Sequence, residues 1–493
     1  MMSSEAQDSP PPSENGSSGG ASAVTPAPPP AGLPTVSPPS GKLMLQLFLV
    51  PGLIVAFLIG AWLVGGWLFG VSYSKKDFLD KLNDPNAEVR WRAAENLAQV
   101  LLRDDALASD ADFARQLGLM LNKARDESAP AEKAYIEFLA SVAKEGLNEQ
   151  QRKEKVDAER RKLDPQRMFI MFLDASLGDF LVPVGAPILK ELASQKEGMD
   201  PNGLALRRRQ AVWALANLGE NQKRFDALPN QPGVVDQLRT ALWDAAQPGG
   251  SRDDFLKLSA DDKDAALDKL DLTTGPAKSA HADWLRDALH ALRQRAKKDN
   301  DDMGVGAVLI ACSEDKDDPY LRELSAFAMN FWRGDAAADA AMEKRLVELT
   351  FDDGAGQNKL AELSDDKDDS PTVSIARPDG LQIQYDAAVA LARFGGKQTR
   401  LDVLKDMLDE NALKSKFVLR PRDRGDDASQ DKPNDEVIGQ TLTNALKAVA
   451  ELHKLRPEMD LSSLKPAVDA LASGSGNPAV RSEAEATRLA LNS

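Results

Sequence analysis

The chain is poor in the residues that carry most enzyme chemistry. Its 493 residues include one cysteine and three histidines, and aromatic side chains make up only 5%. A lone Cys312 forms no intramolecular disulfide and leaves no cysteine pair for a structural zinc site. It follows the apolar run Val305–Ala311, where a thiol behaves as a small hydrophobe. The compartment stays open, because a chain without disulfides suits either redox environment. His281, His290 and His453 do not have H-E-x-x-H spacing. No phosphate-cradling G-x-x-x-x-G-K-[ST] loop exists, and Gly304 and Gly306 lack the third glycine and the preceding strand of a dinucleotide loop. Asp299, Asp301 and Gly304 approach a calcium loop, but Met303 takes a ligand position and Ile310 stands where the closing glutamate belongs. Gly16, Ser18 and Gly20 spell G-x-S-x-G inside a Pro/Ser/Gly-rich stretch that offers neither the strand nor the helix of a nucleophile elbow. No catalytic residue, cofactor-binding residue or metal ligand emerges, and the expectation is a protein without enzyme activity or cofactor.

Positive charge is also in deficit. Lys and Arg total 61 against 77 Asp and Glu, a formal net charge of −16. Nucleic-acid binding is driven by cations that displace counterions, so DNA and RNA are excluded as expected partners. Arg207-Arg208-Arg209 is a local exception, read as a solvated helix face in preference to a lipid or phosphate contact.

What the chain does have begins with a tail and an anchor. Residues 1–42 are rich in Pro, Ser, Gly, Ala and Thr and have little to bury, which reads as disorder. From Leu43 to Val71 no residue is charged and Gln46 is the one clearly polar side chain, so 43–72 is expected to be a transmembrane helix. A span needs about 20 residues to cross roughly 30 Å of hydrocarbon. The run exceeds the about 7–15 apolar residues of a cleaved signal, which argues for a retained anchor. Trp62, Trp67 and Tyr73 suit the headgroup level, and Pro51-Gly52 kinks the first part. Gly52, Ala56 and Gly60, then Gly66 and Gly70, recur at four-residue spacing and allow self-association of the span. Lys42 stands alone before the run, while Lys75, Lys76, Lys81, Arg90 and Arg92 follow it. The positive-inside rule then places the helical part in the cytoplasm and the tail outside, with the reverse topology as the alternative.

After Lys76 the periodicity is helical. Val89, Ala93, Leu97 and Leu101 recur every four positions, and Leu117, Met120, Leu121 and Ala124 mark a second helix. Asp84-Pro85 reads as a helix opening, with Asp84 as the cap and Pro85 in the first turn. Asp164-Pro165, Asp200-Pro201, Asp318-Pro319 and Asn477-Pro478 repeat the device at offsets of 80, 36, 118 and 159 residues. These lie near multiples of about 40, a period of helical-pair arrays.

The segment Asp84-Pro85-Asn86-Ala87-Glu88-Val89-Arg90-Trp91-Arg92-Ala93-Ala94-Glu95-Asn96-Leu97 resembles the D-P-x-x-x-V-R-x-x-A-A-x-x-L pattern of the HEAT family, including its bilin-lyase-like short repeats. Gln210–Gly219 and Ala387–Gly395 look like the ends of first repeat helices, with Leu401, Leu404 and Leu408 as the partner of the latter. Asn477-Pro478-Ala479-Val480-Arg481 with Ala484 echoes the opening. The resemblance implies a right-handed stack of helix pairs used as a binding surface. Three stretches are expected to interrupt the stack. Gln150–Lys162 reads as a solvated helix with Glu149/Lys153 and Asp157/Arg161 pairs, and Asp352–Asp379 and Leu413–Asn434 read as polar loops. The expected fold is therefore all-α, an α-solenoid of HEAT-like pairs over 75–493. The expected function is a membrane-anchored scaffold for protein partners. A HEAT-like chromophore lyase or related modifying enzyme, and an outward-facing envelope structural protein, are the alternatives.

Overall fold

In the computed structural model the residues described are 74–296, 303–352, 373–376, 380–421 and 432–492. The tail 1–42 and the apolar stretch 43–72 lie outside them. The chain divides into two units, 1–72 and 73–493, and only the second has described residues. The described residues of that unit are all-α apart from one small sheet. Among the described residues no helix is long and apolar enough to cross a membrane.

The helices in chain order are α1 (Lys75–Leu82), α2 (Ala87–Leu101), α3 (Asp105–Ala108), α4 (Ala111–Val142), α5 (Glu149–Gly178), α6 (Ala186–Ala193) and α7 (Pro201–Asp226), with a 3₁₀ turn at Pro183–Gly185. Then come α8 (Gln231–Ala246), α9 (Arg252–Lys257), α10 (Ala260–Leu267), α11 (Gly275–Ser279), α12 (Ala282–Ala296), α13 (Val305–Ser313), α14 (Pro319–Met329) and α15 (Ala336–Leu349). The last are α16 (Leu381–Phe394), α17 (Leu401–Met407), α18 (Glu410–Lys416), α19 (Asp435–Leu455), α20 (Lys465–Gly474) and α21 (Pro478–Leu491).

Seven of these form a ladder in which each packs on the next: α2, α5, α7, α14, α16, α19 and α21. A second layer covers it, with α1 on α2, α4 on α5, α6 on α7, α13 on α14, α15 on α16, α17 and α18 on α19, and α20 on α21. Burial explains why the ladder persists. In α16 Ile383, Ala387, Ala390 and Leu391 join one hydrophobic cluster, and Leu381, Tyr385, Ala388, Val389 and Ala392 join a second. A helix that is apolar on both faces is stable only between two neighbours. Small side chains set the spacing. A Cβ on Gly178 would lie 2.7 Å from the Ala214 carbonyl oxygen, so α5 and α7 approach backbone to backbone.

The helix openings follow local chemistry, with two departures from the Asp-Pro expectation. Asp200, Asp318 and Asn477 are caps whose side chains accept from Gly203 N, Leu321 N and Ala479 N, and Pro occupies the first turn each time. Asp84 instead accepts from Asn86 N at 2.7 Å, and it is Asn86 that caps α2 through Glu88 N. Asp164-Pro165 opens nothing. Asn148 and Gln151 form a capping box that starts α5 sixteen residues earlier, and the helix runs through Pro165 with buried residues from Leu163 onward. Gln150–Lys162 is accordingly the solvated first half of a ladder helix and not an interruption. Its ion pairs are Lys155–Glu145, Arg160–Asp157 and Lys162–Glu159, rather than the two expected from sequence. Gln210–Gly219 does not end a helix, since α7 continues to Asp226.

The two stretches read as polar loops also hold structure. Strand β1 (Val373–Ala376), from the first, pairs antiparallel with β2 (Val418–Pro421), and β2 pairs with β3 (Lys432–Pro433). The second stretch also begins inside α18. The real interruption of the ladder is 227–296, between α7 and α13. Its helices α8 and α12 pack together and rest on α4, while α12 also meets the 3₁₀ turn.

Candidate functional site

The residues singled out by sequence take structural places. Cys312 is buried, its Sγ 3.5 Å from the Ala193 carbonyl, and burial pushes its thiol pKa up, away from reactivity. His281 stacks on Trp284 with ring centroids 4.4 Å apart, His290 lies beside Gln294 on α12, and His453 sits near the end of α19. Among the described residues no three His, Cys, Asp or Glu side chains gather as a metal site. The Asp299–Gly304 stretch is described only from Met303 onward.

Arg207-Arg208-Arg209 is not a solvated face. Arg207 is buried, and its guanidinium pKa is lowered by desolvation. Arg208 pairs with Asp315 at 2.6 Å, and Arg209 pairs with Asp318 at 2.8 Å while its guanidinium lies 5.0 Å from the Tyr320 ring. Three consecutive residues on a helix span about 200° of its circumference, so in a helix covered on several sides they meet neighbours and not water. A second charge cluster is equally satisfied: Arg167 bridges Glu132 at 2.6 Å and Asp200 at 2.5 Å, tying α4 and α5 to the start of α7.

One groove differs from these closed networks. It has a volume of about 630 Å³ and runs past the C-terminal parts of α7, α12, α16 and α19 and the turn after α14. Gly219 is required where the turn crosses α7, because a Cβ there would lie 2.8 Å from both Phe331 Cβ and Trp332 Nε1. Trp332 Nε1 donates to the Leu215 carbonyl at 2.8 Å and fixes the turn against α7.

The groove is basic in an acidic protein. Lys223, Arg295, Arg333, Arg393 and Lys454 line it against two carboxylates, Asp226 and Glu451. Arg295 is paired with Asp226. Glu451 lies 3.1 Å from Arg393 and 3.7 Å from Lys223. Arg333 makes no ion pair among the described residues. Its Nη1 donates to the Trp332 carbonyl at 2.7 Å and the Asn330 carbonyl at 3.4 Å, its Nη2 donates to the Arg393 carbonyl at 3.0 Å, and its plane lies 3.6 Å from the Phe394 ring. Desolvation pushes its pKa down to about 10, which leaves it charged at neutral pH. Asn330 lines the same groove, 6% exposed, and among the described residues neither its buried amide nitrogen nor its buried amide oxygen has a hydrogen-bond partner. Leu455, 51% exposed, forms an apolar rim.

Part of the basicity follows from helix ends. Unpaired carbonyls give a helix C-terminus roughly half a negative charge, and cations gather there. Arg333 serves that role through the Arg393 carbonyl in the last turn of α16 and the Asn330 carbonyl at the C-cap of α14. The helix ends do not use its Nε–H, its second Nη2–H or the Asn330 amide. Sequence reading did not find this site, because its residues come from elements more than two hundred positions apart and share no motif. No protein-family model matches the chain, and no curated protein matches it in sequence.

Proposed function

We propose that the protein is a membrane-anchored α-solenoid scaffold that holds protein partners at the bilayer surface. The observation that carries this reading is the two-layer ladder from α2 to α21, interrupted by one insertion, with an open groove where that insertion meets the ladder. Stacked helix pairs with shared cores give an extended surface for partner binding. The anchor is assigned to 43–72 from its uncharged apolar sequence, with the helical unit on the cytoplasmic side and contacts between spans through the small-residue repeats. The solenoid is read as HEAT-like from the segment Asp84–Leu97 and its partial echoes.

The test is made on intact membranes. Carbonate washing is expected to leave the full-length chain in the pellet, and protease added outside intact cells is expected to trim only the tail. Proximity labelling from the C-terminus is then expected to mark a defined set of proteins, lost when the ladder is disrupted by Leu97→Asp, a residue with no exposure in the first pair. Release of the intact chain by carbonate contradicts the anchor, and digestion of the helical unit from outside reverses the topology. Turnover of a small molecule by the purified protein, abolished by one substitution, contradicts the scaffold.

A further inference from the structure

We infer that the groove beside α12 binds the carboxylate of an extended peptide segment of a partner protein, seated on Arg333. The inference rests on the scaffold reading and deepens it by naming the chemistry of the partner.

Three observations converge on it. First, the groove holds five cationic side chains and two carboxylates, a surplus of three positive charges in a chain of net −16. Secondly, Arg333 is held in place by the Asn330, Trp332 and Arg393 carbonyls and by the Phe394 ring, so little side-chain freedom remains to be lost when a ligand arrives. Of its five N–H donors three are used, and the planar fork of a guanidinium matches a carboxylate through two parallel hydrogen bonds. Thirdly, Leu455 on the rim is 51% exposed, an apolar contact for the peptide beside the charged seat.

The rest of the lining selects the kind of anion. Asp226 and Glu451 already pair with Arg295, Arg393 and Lys223, so the groove offers one preorganised guanidinium fork and not a cluster of free cations, which suits a single carboxylate better than a phosphate chain or nucleic-acid backbone. The helix C-termini around the site act in the same direction, since their carbonyl ends oppose dense negative charge. Leu455 and Phe331 offer an apolar strip beside the charged seat, which fits a peptide whose acidic residue is flanked by apolar ones. The carboxylate has two possible sources, an Asp or Glu side chain or a chain's C-terminus.

The experiment selects dodecapeptides displayed on phage against the full-length protein in nanodiscs, after depletion on empty nanodiscs. One library ends in a free C-terminus, and the other presents the same random segment internally. Selected peptides are synthesised, and their affinities are measured by fluorescence polarisation on wild-type protein and on Arg333→Gln, Arg333→Lys and the remote exposed control Arg252→Gln. Helical content and melting of each variant are checked by circular dichroism. The expected result is enrichment of a carboxylate, internal or terminal according to the library that yields it. Conversion of that group to its amide, or Arg333→Gln, should weaken binding at least tenfold, with Arg333→Lys between and Arg252→Gln unchanged. Inorganic phosphate at tens of millimolar should compete no better than chloride at matched ionic strength.

Peptides that bind equally to Arg333→Gln overturn the carboxylate seat while leaving a peptide-binding scaffold standing. Displacement by inorganic phosphate overturns the choice of a carboxylate. Failure of both libraries to yield any binder overturns the seat and weighs against the scaffold as well. If Arg333→Gln unfolds, Arg333→Lys and the amide-converted peptide carry the decision.

Discussion

Arg209 and Asp318 join two ladder helices that are separated in sequence by the whole insertion. Arg209 Nε donates to Asp318 Oδ1 at 2.9 Å, and the same oxygen accepts from Leu321 N at 3.0 Å as the cap of α14. One carboxylate therefore starts a helix and fixes it to α7. Asp318→Ala removes both functions and strands a mostly buried guanidinium, with an expected loss of about 2–4 kcal/mol. Asp318→Asn keeps a competent cap and loses the charge, so it should cost less. Urea denaturation of the full-length protein in detergent measures both. Equal destabilisation by the two variants would show that the cap contributes nothing, and an unperturbed Asp318→Asn would show that the ion pair contributes nothing.

The contact between α5 and α7 predicts intolerance at Gly178. An added Cβ meets Ala214 backbone atoms at 2.7 and 2.8 Å, and backbone cannot swing aside as a side chain can. Gly178→Ala is expected to cost about 1–3 kcal/mol despite the better helix propensity of alanine. Gly146 has no heavy atom within 4 Å of an added Cβ, and Gly146→Ala serves as the neutral comparison in the same melting assay.

Stability should fall as pH rises from about 4 to about 8. Asp174 on α5 is buried, its Oδ1 lacks a partner among the described residues, and desolvation raises its pKa to about 7 against the opposing influence of Arg207 and Arg125. Asp179 is raised to about 7 in the same way, with Arg224 and Asn217 opposing. An acid whose pKa is higher in the folded state binds more protons there than in the unfolded chain. Its stabilising contribution is complete below the unfolded pKa and is lost as pH passes through the folded one. Thermal melts at pH 4.5, 6 and 8 check the slope. Asp174→Asn should flatten it and raise stability at pH 8, and an unchanged slope would assign the effect elsewhere.

Much of the helical fold is legible in the sequence because apolar spacing and caps are local. Val89 to Leu101 carries its stripe in plain view, and Asp200, Asp318 and Asn477 announce their helices through cap chemistry. Asp164 misled because the same dipeptide is tolerated inside a helix once an earlier box, Asn148 with Gln151, has started it. Arg207–Arg209 misled for a different reason: their partners, Asp315 and Asp318, lie more than a hundred residues away, and no local pattern distinguishes a paired arginine from a solvated one. The groove was invisible on the same ground. Arg333 and Asn330 are ordinary turn residues until α7, α12, α16 and α19 are assembled around them.

The most direct test of the scaffold reading places a photo-crosslinking amino acid at Leu455, on the exposed rim of the groove, in full-length protein within intact membranes. Leu102 and Leu489, exposed at 56% and 63% and outside the groove lining, are control positions. Irradiation should join Leu455 to a defined protein, at a segment that mass spectrometry maps to a carboxylate flanked by apolar residues, and Arg333→Gln should abolish the product. Crosslinks at Leu455 that match those at Leu102 and Leu489 in partners and yield, or that survive Arg333→Gln unchanged, would contradict a scaffold that holds its partner in this groove.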